Sequence, residues 1–237
     1  GVELYELAKE SKSFYPFVEA FVDSLVWRKS DTVTPKLIDY INSHVLKFKG
    51  THDRFYEVLL LLAVRPNHYF NAYFLHNHLM SFTMADRDSW WTTYIHDRFM
   101  DETPIKRMVD WAWEEEDKSY ISDESILLTS ITLSWFLTSS NRFLRDSATK
   151  ALVNLLQNRI GVLKDLLQRF SGINDIYVLE RLYAVAYGCA LRTTDKKQLR
   201  DLCLYIYDEI FNKEFVIPHI LLRDYARGII EYILTFD

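Results

Sequence analysis

Two carboxylates one helical turn apart, Asp110 and Glu114, stand beside Trp111 and Trp113. Paired acids flanking a sugar, with aromatic rings stacked on it, are the apparatus of glycoside hydrolysis, so this spacing raises a helical-toroid glycosidase. A simpler reading is a helix end: Glu114 opens a solvated acidic run, Glu114–Asp117, and tryptophans at helical spacing belong to a core. The simpler reading is preferred, and no catalytic residue is assigned.

His68, His76 and His78 form the other cluster of donor side chains. Metal ligands on one helix face stand three or four residues apart, whereas His76 and His78 are two apart and project about 200° from each other. No metal is expected. The glycines, at 1, 50, 161, 172, 188 and 228, belong to no GxxxxGK[ST] loop, so no backbone cradle for nucleotide phosphates is present. GxSxG, HExxH and paired CxxC motifs are missing too. No cofactor is expected, and the segment is read as non-enzymatic. Cys189 and Cys203 sit among helix-core residues and read as buried thiols of a reducing cytoplasm.

Four Arg-Asp dipeptides stand at 87–88, 145–146, 200–201 and 223–224. An Asp near a helix start meets unsatisfied N–H groups, and an Arg can reach a neighbouring helix, so Arg145, Asp146, Arg223 and Asp224 are read as structural repeat residues. Aromatic residues are abundant: 6 Trp, 15 Tyr and 15 Phe. Most must be core. Trp90-Trp91 is the best candidate for a protein-binding anchor, because adjacent helix residues point about 100° apart and need not both be buried; Trp111 and Trp113 are the other candidates.

These residues need helices to hold them. In Asn141–Ile160, the apolar residues Leu144, Ala148, Ala151, Leu152, Leu155 and Leu156 recur every three or four positions and line one face. Such a stripe needs a neighbouring helix. Phe14, Phe17, Val18, Phe21, Val22 and Leu25 predict a helix over 13–27, and Thr34-Pro35 supplies a cap and an N1 proline for the next. Asp53–Val64, with VLLLLAV, is apolar nearly all round and predicts a central helix. Further helices are expected at 71–80, 86–100, 103–113, 125–137, 162–170, 175–191, 196–211 and 218–234. Ala148 finds counterparts in Ala184 and Ala226, steps within the range of two-helix HEAT-type units of about 40 residues. The fold expected is all-α, an α-solenoid of antiparallel helix pairs, HEAT-like or TPR-like. Residues 1–120 read as an irregular helical subdomain and 121–237 as HEAT-like repeats.

Composition supports an ordered globular chain: 237 residues, 49% apolar, a net charge of −5, and no basic footprint for nucleic acid. No apolar run approaches the roughly 20 residues that span a bilayer, and GVELYELAKES lacks the basic head and apolar core of a signal peptide. A start at Gly1 and an ending in the apolar GIIEYILTFD suggest an excerpt of a larger protein, with a cytoplasmic location expected.

Residues 66–99 carry a resemblance. Asn71-Ala72, Leu75-His76, then Met84-Ala85-Asp86-Arg87-Asp88 followed by tryptophan, resemble a segment downstream of the ATPase in bacterial STAND NTPases of the antiviral Avs type. The resemblance implies the helical-repeat sensor of such a protein, which recognises a foreign protein such as a phage structural or packaging component. Oligomerisation would then belong to the parent protein, with ATPase and effector modules outside this chain. An α-helical enzyme, either the toroid-like hydrolase above or a HEAT-like DNA glycosylase, is the alternative.

Overall fold

Short polar side chains ahead of apolar runs set where the helices begin. In the computed structural model, which describes residues 14–47, 49–100 and 102–236, Thr34, Asn71, Ser122, Asn141, Asp175 and Asp195 each accept a hydrogen bond from a backbone N–H two or three residues on. The chain start, read above for a signal peptide, lies outside the described residues. The helices are α1 (Phe14–Ser24), α2 (Pro35–Tyr40), α3 (Lys49–Leu62), α4 (Ala72–Met80), α5 (Met84–Arg87), α6 (Thr93–Arg98) and α7 (Pro104–Trp113). They continue as α8 (Asp123–Phe136), α9 (Arg142–Leu156), α10 (Ile160–Phe170), α11 (Ile176–Ala190), α12 (Lys196–Ile210) and α13 (Ile220–Leu234). No strand occurs among the described residues. The protein is all-α.

From α8 onward the helices pack in antiparallel pairs that form two rows. One row runs α4, α8, α10, α12, and the other α7, α9, α11, α13. Burial follows one register along each row. In α9, α11 and α13 the third, seventh, tenth and fourteenth residues after the N-cap are buried: Leu144, Ala148, Ala151, Leu155; Val178, Leu182, Val185, Cys189; and Leu222, Ala226, Ile229, Ile233. The fourth, seventh and eleventh are buried in α8, α10 and α12. This register places Leu182, not Ala184, opposite Ala148 and Ala226. Ala184 is only half-buried, because it lies two positions further along and so on another side of the helix.

Close approach in the second row comes from glycine more than alanine. A Cβ on Gly188 would sit 3.0 Å from Val153, and one on Gly228 would sit 2.8 Å from the Tyr187 ring. Each glycine is the point where successive helices of the row touch.

The helix buried on every side is α8, not the expected 53–64 stretch, where Leu61 is 39% exposed. Thr129, Ser130, Thr132 and Ser134 are interior, and each hydroxyl donates to the backbone carbonyl four residues earlier, at 2.7–3.1 Å. Their polarity is satisfied within the helix, so α8 can enter the core with hydroxyls on it.

Two boundaries differ from the sequence reading. Gly50 does not end a segment but lies in the first turn of α3. The expected single helix over 86–100 is interrupted by a π-turn, Asp88–Thr92, which breaks the regular spacing between α5 and α6.

Arg87 joins the halves of the chain. Only 1% exposed, it donates to Asn174 Oδ1 at 2.7 Å, pairs with Asp175 Oδ2 at 3.4 Å, and lies 5.2 Å from the Trp135 ring centroid. Asp175 also caps α11 through its other oxygen.

Arg87→Met is expected to lower the unfolding free energy by about 3 kcal/mol, because Asp175 and Asn174 lose their buried partner. Arg87→Lys recovers little, since an ammonium lacks the fork that reaches both. Gly228→Ala is expected to destabilise by about 1–2 kcal/mol despite alanine's better helix propensity, because the ring of Tyr187 must move. Gly50→Ala, with nothing within 4 Å, should instead stabilise by about 0.5 kcal/mol. Urea unfolding midpoints check all four variants.

Candidate functional site

The sequence candidates do not assemble into one centre. Asp110 is held by Lys106 on its own helix, and Glu114 is the C-cap of α7 in an exposed loop. Neither lines the main grooves. Trp91 is fully buried, its Nε1 donating to the Trp135 carbonyl at 3.1 Å, so a surface partner cannot reach it. Trp90 is half-buried against the His52 ring at 5.0 Å. Trp111 lies under Lys118 at 5.4 Å, and Trp113, 40% exposed, lies under Lys150 at 4.9 Å.

Of the Arg-Asp residues, Asp146 accepts from Arg181 of α11 at 3.0 Å, and Arg145 lies 5.6 Å from the ring of Tyr177, also of α11. Burial would raise the Asp146 carboxyl, but hydrogen bonds from Arg181 and Arg142 outweigh it and hold the group below its ordinary range. Arg223 and Asp224 are exposed, and Asp224 pairs with Arg227 within α13.

What the fold does assemble is a groove. Where α8 and α10 lie side by side, their seam is open and three adjoining hollows share walls along it. The first, about 760 Å³, lies between the 115–119 loop and the start of α10. The second shares Asp123, Gly161, Val162 and Gln198 with it and extends to Tyr73. The third shares Leu127 and Asp165 with the second and ends at His76 and Arg169. Four helices of one row therefore contribute: α4, α8, α10 and α12.

The loop at the acidic end is held in place. Lys118 Nζ donates to the Glu114 carbonyl, and Asn154 Nδ2 donates to the carbonyls of Trp113 at 2.8 Å and Glu114 at 3.0 Å. Arg159 pairs with Asp123 and donates to the carbonyls of Lys118 and Ile121. Asp117 accepts from the backbone N–H and the hydroxyl of Ser119, which lowers its pKa. Opposite the loop, Gly161 N–H donates to Gln198 Oε1 at 2.7 Å, tying α10 to α12.

At the other end, the His76 ring packs on Phe170 at 4.8 Å and Trp135 at 5.6 Å. Burial, helped by Arg169, lowers its pKa to about 4. His52, by burial and the nearness of His78, and His78, by burial, are lowered to about 4 as well. His78 faces Phe74, Phe82 and Tyr56, away from the rings that hold His76. No group of three or more potential metal-binding side chains occurs among the described residues. No helix among them is long and apolar enough to cross a membrane.

No known protein family, curated protein or solved structure matches the chain.

None of the groove was visible as a motif, because its walls come from residues as far apart as Tyr73 and Gln198. The only local trace was the acidic run itself.

The three lowered histidines set an acid sensitivity. Between pH 6.5 and about 4 the unfolded chain takes up protons at these rings that the folded chain does not, so stability is expected to fall as pH drops through that window. Above pH 6.5 these groups contribute no slope. His78→Phe should flatten the dependence, removing its own proton uptake and the repulsion that depresses His52. Urea midpoints measured across the window check this.

Proposed function

We propose that this chain is a non-enzymatic helical-repeat segment that binds protein, serving as the ligand-sensing region of a bacterial STAND NTPase in antiviral defence. The observation that carries the reading is the open groove along the α8–α10 seam, built from four helices of one row. A surface assembled from successive repeats presents many side chains to an extended partner and offers no enclosed chamber for chemistry. The resemblance of residues 66–99 supports the sensor role, and that block supplies α4, α5 and the buried Arg87. The partner is a foreign protein such as a phage structural or packaging component, met in the cytoplasm. No cofactor, nucleic acid or membrane enters this reading, and oligomerisation belongs to the parent protein.

Binding of the purified chain to a panel of purified phage structural and packaging proteins, with hydrogen exchange mapped on any complex, tests the proposal. The expected result is one binder that protects backbone amides of α8 and α10. Absence of any binder, together with glycoside hydrolysis abolished by Asp110→Asn and Glu114→Gln, would overturn it.

A further inference from the structure

Groove charge narrows what can lie in it, an inference that rests on the protein-binding reading. Around the first hollow stand Glu115, Glu116, Asp117 and Asp123, against only Lys118 and Arg159. Both cations are engaged within the protein: Lys118 on the Glu114 carbonyl and over the Trp111 ring, Arg159 on Asp123 and two loop carbonyls. Glu115 and Glu116 are exposed, and the carboxylates at this end of the groove outnumber the cations.

The opposite end supplies an independent sign of a ligand. His76 is 5% exposed, lines the third hollow, and its Nδ1 has no hydrogen-bond partner. A buried polar atom left this way is uncommon and is satisfied by an added group or water. Between the two ends, Gln198 and Asp165 edge the floor as hydrogen-bonding side chains suited to a peptide backbone.

We propose that the groove binds an extended polypeptide segment bearing arginine or lysine, its cationic side chains against Glu115 and Glu116 and its far end over His76. Charge complementarity selects the partner and sets its orientation along the groove.

The test uses the intact 237-residue chain and two fluorescent peptides of equal length, one alternating arginine with serine and one alternating glutamate with serine. The arginine peptide is expected to bind, more weakly as salt rises, and the glutamate peptide not to bind. Glu115→Lys with Glu116→Lys should weaken binding about tenfold, the worth of two exposed ion pairs. His76→Phe, which keeps the ring packing, should weaken it about threefold at every salt concentration. Lys197→Glu on α12, outside the three hollows, should not weaken it, and circular dichroism confirms that each variant is folded. Equal binding of the two peptides, no binding of the arginine peptide, or wild-type affinity in the charge-reversed variant would overturn the proposal. A phage protein that binds equally well to the charge-reversed variant would overturn the groove assignment alone and leave the protein-binding reading standing.

Discussion

Burying a guanidinium is expensive unless every direction it points is answered, and Arg87 is answered mostly by residues near position 175. Asn174 and Asp175 take its Nη atoms, and the face of Trp135 takes its plane. Asp175 is shared, since its second oxygen caps α11. One carboxylate thereby fixes both where α11 begins and where α5 lies against it. Asn174 extends the same clasp, donating to the Phe82 carbonyl just before α5. The Trp135 and Phe170 rings that form the wall behind His76 lie next to this clasp, so the far end of the groove depends on it.

The two rows of helices solve the packing problem differently, and the groove follows from the difference. In the α9, α11, α13 row, Gly188 and Gly228 bring successive helices into direct contact with Val153 and Tyr187. In the other row, the side chains facing outward along the α8–α10 seam are charged or amide-bearing, as at Asp123, Asp165 and Gln168, and they keep the surface between these helices open. A close-packed back and an open front give a surface that is rigid without being filled. Behind it, α8 carries the load of a fully interior helix because its hydroxyls are satisfied along its own backbone.

Local chemistry was legible in the sequence and distant chemistry was not. Thr34, Ser122 and the apolar stripe of 141–160 each act within a few residues, and the structure places them as their spacing implies. α8 was harder to rank as the central helix, because TSITLS dilutes its apolar signal with hydroxyls that water never meets. Matching alanine to alanine put the repeat register on Ala184, whereas the N-caps put it on Leu182. The π-turn at Asp88–Thr92 interrupts a stretch whose composition reads as ordinary helix. Arg87 was visible as part of a dipeptide, yet its partners lie 87 and 88 residues away, beyond any periodicity.

The acidic loop illustrates how an exposed charge cluster can be more than a solvated surface. Carboxylates on a mobile loop would lose conformational freedom on meeting a partner, and that loss would offset much of a weak exposed ion pair. Here the loop is already ordered by bonds that use its backbone carbonyls: those of Glu114, Lys118 and Ile121 are taken by Lys118, Asn154 and Arg159. The carboxylates of Glu115 and Glu116 are left out of this scaffold and face outward from it. Order is supplied by the backbone, and charge remains available at the side chains. A partner meeting this surface gains its electrostatic attraction without first having to fold the loop, which is the condition under which shallow, polar contacts discriminate between ligands.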